Sequence, residues 1–463
     1  MKKIQYLGIF LFLTILLVPV LSFNLEPNSI STIDNRKLAE NPFSDTVSGD
    51  LTKNIENYVN DRIGFRDTMI LSYTVLNDQL FGKMVHPSYV YGKDGYVFGA
   101  GLTTSGLFSQ YHTLFADTVQ KMQVFCEDRG VPFLFVLNPA KPAVLTEYIA
   151  GGRIYSRDWV DLFLNELDLR GVNYVDNTIT LRNAFEEGIT VFNQKYDANH
   201  WNDIGAFYGT NAMLEALKDR MPNIHVNSLS EYEIGESIMT SLPVSNFPIH
   251  EAVPQVFLKP DSGPITDIAE EYRSELRMDP HFPSMEYYIN EARAKEGAPS
   301  ALVFQGSYMN GFGYKYLMNA FSEYIYIHDY QNVLDLQYYF NIFQPDCVIF
   351  EVAEYTFEDY YFSTSGMESV YFNPPLSNFE RCTPVEKTLE EGSVEIRSGE
   401  TLTTIVWHTD LEGEGAWVRL GEDYDMKQTD EGYTATVKTS TYLEYADSLQ
   451  IMLYDRSELY LFQ

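Results

Sequence analysis

Between residues 105 and 352 the chain alternates helix-like stretches with short apolar runs, and this order limits its fold more than any other feature. The runs Pro132 to Asn138, Val172 to Val175, Leu302 to Phe304, Tyr324 to Ile327 and Cys347 to Val352 are strand-length and apolar on both sides. The stretches 105–128, 159–169, 204–217, 314–321 and 334–343 carry apolar residues at helical spacing. Such alternation predicts an α/β fold of three layers, a mainly parallel sheet covered by helices on both faces. In sheets of this kind ligands sit at the carboxyl ends of the strands, so chemistry is sought there.

At 463 residues the chain exceeds what one hydrophobic core supports. Residues 24–104 read as an N-terminal cap segment. They are polar and turn-rich to about 60, then helical with Met69, Tyr73, Leu76 and Leu80 on one face, then a hairpin around Lys93-Asp94-Gly95. The α/β domain is expected over 105–372, interrupted at about 222–299 by a proline-rich insertion or lid. A linker over 373–392 leads to a small β-sandwich-like domain over 393–463, signalled by LTTIVW, AWVRL, YTATVK, SLQIMLY and ELYLF.

Ahead of these, Lys2 and Lys3 precede an uncharged run from Tyr6 to Phe23, close to the roughly 20 residues that span a bilayer. Residues 1–23 are therefore a signal peptide or a membrane anchor, with Val20 and Ser22 at the positions of a cleavage site. Either way the remainder is exported: secreted or membrane-anchored, at the cell surface or in the periplasm. A net charge of −33, from 32 basic and 65 acidic residues, argues against nucleic acid and against a basic lipid-binding patch. Cys126, Cys347 and Cys382 lack zinc-site spacing; a Cys347–Cys382 bridge and buried free thiols are both open.

Two segments carry chemistry. In KYDANHWNDIGAFYG, Asp197 stands three residues before His200, where a carboxylate can orient and charge-stabilise an imidazole. The structural alternative is a turn Asp, a packed His200 and Trp201, and an Asn202 helix cap. In ALVFQGSYMNGFGYKY a strand runs into Gly306-Ser307 and a helix, which projects a serine hydroxyl beside helix N–H groups. The alternative is an ordinary N-cap serine.

Taken in this order, these segments, with NPFS, YVNDRIGFRD, YGKDGYVFG, VLNPAKPAVLTEYI and PDCVIFEVAEYTF, give a chain that resembles the alginate O-acetyltransferase (AlgX/AlgJ-like, DHHW) family of SGNH-hydrolase-like proteins over roughly residues 40–365. The resemblance implies Ser307 as nucleophile, His200 as general base and Asp197 as orienting acid. It also implies Trp201 walling the site, and Asn138, Lys141 and Tyr308 contacting sugar or oxyanion. An ordinary loop Asn and a solvated Lys are the alternatives for Asn138 and Lys141. Asp61, Arg62 and Arg66 read as a buried ion-pair network holding the cap, and Glu351 and Glu354 as strand-end surface groups in preference to site carboxylates. Two departures stand out: the acid lies three rather than two residues before the histidine, and Gly306 replaces the acidic residue that usually precedes the serine.

The activity implied is extracytoplasmic O-acetyl transfer to a cell-surface or exported polysaccharide, with a membrane acyltransferase as acetyl donor and no metal or organic cofactor. A deacetylase or esterase would use the same triad. A polysaccharide-binding or assembly protein with a degenerate site is the non-enzymatic alternative, in which Trp407 and Trp417 stack on sugars rather than filling a core.

Overall fold

The structure, a computed structural model, describes residues 2–463 apart from 28, 34, 35, 45, 46, 48, 102–105, 244, 261, 262, 380, 381 and 457. An apolar helix α1 (Lys2–Leu21) opens the chain and is exposed along its length. Helix α2 (Leu51–Arg62) arises within the stretch expected to be turn-rich, because the Asp50 side chain caps it by accepting the N–H groups of Thr52 and Lys53. Helix α3 (Arg66–Phe81) follows and ends on Gly82, at φ 61°. The expected hairpin forms as β1 (Tyr89–Tyr91) and β2 (Val97–Gly99), with Asp94 and Gly95 both left-handed in its turn.

The expected ion-pair network is only part of what holds this region. Asp61 takes both Arg36 Nη atoms at 2.6 Å, and Arg66 pairs with Asp67 at 2.7 Å. Arg62, by contrast, is bound to carbonyls: it donates to Ala39, Asn24, Glu26 and Pro27. The helix expected from Met69, Tyr73, Leu76 and Leu80 forms, and these four side chains are exposed.

The α/β unit runs α4 (Gln110–Glu127), β3 (Phe133–Asn138), α5 (Lys141–Val144), α6 (Asp158–Leu169), β4 (Tyr174–Asp176), α7 (Asn177–Glu186) and α8 (Asp203–Lys218). The expected helix start at 105 lies outside the described residues. The 222–299 stretch supplies a long hairpin, β5 (Tyr232–Ser241) with β6 (Pro248–Leu258), then β7 (Ile265–Asp267), α9 (Glu270–Arg273), β8 (Met285–Asn290) and α10 (Glu291–Lys295). After it come β9 (Ser300–Gln305), α11 (Tyr314–Met318), β10 (Glu323–His328), α12 (Leu336–Phe343), β11 (Cys347–Ala353) and α13 (Thr364–Ser369).

Strands pair in the order β4-β3-β11-β9-β10-β8-β7; the first five are mutually parallel, and β8 and β7 extend the edge antiparallel. The 222–299 stretch is thus partly sheet, not only an insertion. All of β3 and β11 is buried, which is why both read as unbroken apolar runs. Alternate side chains fill the two faces: Phe133, Phe135 and Leu137 pack under α4, α6 and α12, while Leu134 and Val136 pack under α7, α8 and α11. Each such buried side chain stabilises the fold by about 1.5–3 kcal/mol. Chain order reverses between β3–β4 and β9–β10, with β11 between them, so the carboxyl ends of β3, β11 and β9 share one crevice.

C-terminal strands β12 (Val385–Lys387), β13 (Val394–Ser398), β14 (Leu402–Trp407), β15 (Gly415–Leu420), β16 (Glu422–Thr429) and β17 (Gly432–Lys438), helix α14 (Thr439–Tyr445), and strands β18 (Gln450–Asp455) and β19 (Glu458–Phe462) follow. They form one eight-stranded sheet rather than two separate ones. Strand β16 pairs first with β15 and then, from Lys427, with β17; this lets the sheet curl until Trp407 meets Phe462 at 4.8 Å. Trp407 and Trp417 are both 2% exposed, so they fill cores and offer no sugar platform. The expected linker is not free chain. Strand β12 joins the sheet beside β19, and buried Asn373 donates to the Ala416 and Met426 carbonyls. Arg129 on Asp425 at 2.8 Å, and Glu275 on the backbone of residues 400–402, tie the sheet to the α/β unit. Cys126, Cys347 and Cys382 are free thiols, the first two fully buried.

Candidate active site

The loop before α8 builds one half of the site. Asp197 is left-handed, at φ 57°, an uncommon state for a non-glycine residue. Its carboxylate turns back to accept the N–H groups of Asn199 and His200, each at 3.0 Å, and lies 2.8 Å from His200 Nδ1. Burial works against the charge on Asp197, but the His200 ring and these hydrogen bonds hold its carboxyl below the ordinary value. The carboxylate therefore favours the tautomer with hydrogen on Nδ1, leaving Nε2 as an acceptor. That Nε2 lies 2.8 Å from Ser307 Oγ.

Ser307 comes from the other half. It follows Gly306 at the end of β9 and opens a helical stretch that passes through a π-turn, Met309–Gly313, into α11. The first N–H groups of a helix have no partner within it, so those of Ser307 and Tyr308 are donors suited to a developing oxyanion. Sequence expectation and geometry agree on the proximity of Asp197, His200 and Ser307.

Four other expected site residues stand behind the side chains of Asp197, His200 and Ser307 rather than at an open surface. Trp201 is fully buried; its Nε1 donates to the Tyr308 carbonyl at 3.0 Å, so it braces the two halves and walls nothing. Tyr308 is equally buried, its hydroxyl shared between the carbonyls of Pro139 and Asn199, so its side chain contacts neither sugar nor oxyanion. Asn138 is buried between Glu351 and Asn177. Lys141, expected at the site or in solvent, is fully buried, with Nζ 3.3 and 3.4 Å from the Gln194 and Asp197 carbonyls. Burial pushes that ammonium down to about 7, with Asp197 and Glu251 opposing.

Four further groups adjoin the site, of which Tyr355 and Glu251 escape the sequence reading. Tyr355, just past β11, places its hydroxyl 3.0 Å from His200 Nε2 and 3.5 Å from Ser307 Oγ. Burial raises its pKa, so it keeps its proton and can donate. Glu351 is fully buried rather than superficial: Oε2 accepts the Gly306 N–H at 2.8 Å and Oε1 accepts Asn138 Nδ2 at 2.7 Å. Burial, helped by nearby Asp329, pushes its carboxyl up to about 8, with the Gly306 and Asn138 bonds opposing. A lone acid inside the apolar run CVIFEVA was the available signal, because both faces of such a strand are covered. Glu354 is buried too, accepting from Ala140 N and the Tyr155 hydroxyl. The fourth group is Glu251 on β6, whose carboxylate accepts the N–H groups of Gln194, Lys195 and Tyr196. The β5–β6 hairpin thus acts as a clamp on the Asp197 loop rather than as a lid.

No protein-family model and no curated protein sequence matches the chain. In fold it is similar to the O-acetyltransferase domain of Pseudomonas putida AlgJ, at 15% identity and TM-score 0.41, over 61% of this chain and 99% of that one. It is also similar to Bacillus cereus PatB1, at 16% and 0.45, over 58% and 97%. A DHHW family protein from Eubacterium siraeum aligns at 14% and 0.42, over 62% and 96%.

Proposed function

We propose that this chain is an extracytoplasmic O-acetyltransferase of SGNH-hydrolase-like type, acting on a cell-surface or exported polysaccharide through Ser307, His200 and Asp197. One observation carries the reading: His200 lies 2.8 Å from Asp197 on one ring nitrogen and 2.8 Å from Ser307 Oγ on the other. Ser307 Oγ attacks the carbonyl carbon of an acetyl donor while its proton passes to His200 Nε2. Asp197, held ionised, stabilises the imidazolium. The Ser307 and Tyr308 amides receive the oxyanion, and collapse returns the proton from His200 to the departing donor group. The acetyl-serine is then attacked by a sugar hydroxyl, whose proton His200 takes; the second collapse gives the sugar acetyl ester and free Ser307. Tyr355 donates at the reacting oxygen, since its hydroxyl reaches both His200 and Ser307. The acetyl donor is supplied by a membrane acyltransferase.

The test uses the full chain in detergent or vesicles with p-nitrophenyl acetate. Ester turnover, and a mass gain of one acetyl group on Ser307, are expected in the wild type and absent in Ser307→Ala. An oligosaccharide acceptor should then be acetylated. Turnover that is unaffected by Ser307→Ala sinks the proposal, and turnover that yields only acetate reassigns the site to hydrolysis.

A further inference from the structure

Helix α3 is apolar on two sides. Its inner side packs Leu71 and Val75 against the core that contains Val97, Leu242 and Phe247. Its outer side shows Met69, Tyr73, Leu76 and Leu80, from 45% to 63% exposed, edged by the neutral Thr68, Ser72 and Gln79. Phe65, 55% exposed at the elbow between α2 and α3, begins the same stripe. An apolar stripe exposed on the outside of a helix marks a contact surface.

What covers the outer side follows from where the elbow sits. The apolar part of α1, 19 residues long, extends about 28 Å, close to the roughly 30 Å of a bilayer's hydrocarbon core. Its last turn leaves carbonyls without intrahelical partners, and in a membrane these need donors. Gly64 supplies one: its N–H donates to the Pro19 carbonyl at 2.9 Å. The approach is close enough that a Cβ on Gly64 would fall 2.5 Å from Ser22, so only glycine fits. Asn24 N donates to the Arg62 carbonyl beside it, and Phe23 meets Tyr58 at 5.6 Å. The elbow is therefore level with the last turn of α1, not above it.

We propose that this elbow and the outer face of α3 lie in the extracytoplasmic membrane interface, giving the chain a second, monotopic contact with lipid beside its spanning helix. Uncharged apolar side chains with a tyrosine among them suit that boundary, where amphipathic rings collect. The net charge of −33 leaves apolar insertion, rather than attraction to anionic headgroups, as the source of binding. The proposal rests on α1 spanning the membrane and is independent of the acyl-transfer chemistry.

The test places nitroxide labels on the full chain at Phe65→Cys, Met69→Cys and Leu76→Cys, one at a time, in a Cys382→Ser background. Leu11→Cys in α1 and Glu368→Cys on α13 serve as lipid and water references. The chain is reconstituted into phosphatidylethanolamine–phosphatidylglycerol vesicles, and collision with oxygen is compared with collision with a water-soluble nickel chelate. The three elbow and α3 sites are expected to favour oxygen several-fold, as Leu11 does. If Leu11 favours oxygen while they behave like Glu368, the proposal fails and the anchor stands. Protection of those sites only in native membranes would also overturn it, assigning the face to a protein. Water access at Leu11 itself would remove both the anchor and the inference.

Discussion

Glu351 Oε2 accepts the Gly306 N–H at 2.8 Å, so a carboxyl group on the central strand β11 fixes the turn that presents Ser307. Its second oxygen takes Asn138 Nδ2, whose Oδ1 in turn accepts from Asn177. Glu351→Ala would leave two buried donors unpaired and is expected to cost about 2–5 kcal/mol, with a matching fall in urea midpoint. Glu351→Gln should cost under about 1 kcal/mol. Turning both asparagine amides lets the substituted amide accept from Gly306 and donate to Asn138, and gives the unpartnered Asn177 Oδ1 a donor. Equal losses for the two substitutions would contradict this arrangement.

Stability should depend on pH through the same group. Glu351 is raised from 4.5 to about 8, and Asp329, buried without an aligned hydrogen bond although His328 Nδ1 lies 3.1 Å away, is raised to about 6. Where a carboxyl stays protonated in the fold but ionises in the unfolded chain, the unfolded state binds fewer protons and stability falls as pH rises. Melting temperature should therefore decline between about pH 5 and 7, above which Lys141, lowered from 10.5 to about 7, acts in the opposite sense; Glu351→Gln should flatten that decline. Asp197 acts in the opposite sense: its contribution is lost only on the acid side, as pH drops through a folded pKa below 3.8. A wild-type melting profile unchanged by Glu351→Gln would refute the assignment.

Tyr355→Phe removes one hydroxyl and leaves the ring contacts to His200 and Tyr308. The expected result is a roughly 10- to 100-fold fall in kcat for acetyl-ester turnover, equivalent to about 1.4–2.7 kcal/mol, with KM and melting temperature little changed. A loss confined to KM would make Tyr355 a binding group only.

Glu251→Ala withdraws the acceptor for three successive backbone amides ahead of Asp197. Hydrogen exchange over residues 194–197 should accelerate while β3 and β11 keep their protection, and kcat should fall with the loosened loop. Uniform acceleration across the chain would mean that β6 supports the whole fold rather than this loop.

How much of this was legible in the sequence differs from element to element. Fully buried parallel strands announce themselves, since β3, β9 and β11 must be apolar on both faces, and the acid–histidine and serine segments flank them at fixed places. Helix α2 was missed because its residues are mostly exposed and polar, so a single capping aspartate had to carry the signal. Strand β16, EDYDMKQT, reads as polar because half of it lies outside the curl of the C-terminal sheet. The wrong placements of Asn138, Lys141, Tyr308 and Trp201 share one cause: each is a polar or aromatic residue next to a motif, and its direction is set by partners far along the chain. Lys141 ends on the carbonyls of Gln194 and Asp197, and Tyr308 on those of Pro139 and Asn199. Tyr355 was hidden in the same way, since only the meeting of β11 with the His200 loop gives its hydroxyl a purpose.

Arg62 draws together the carbonyls of Asn24, Glu26, Pro27 and Ala39 just where the chain leaves α1. The body that follows α1 therefore hangs on no slack leash. A tethered ball sweeps a hemisphere and samples many heights, whereas a body bolted at its root works at one stand-off distance and one bearing. For a chain whose acyl group would come from within the bilayer and whose acceptor would pass outside it, that fixed stand-off sets the gap a donor has to bridge.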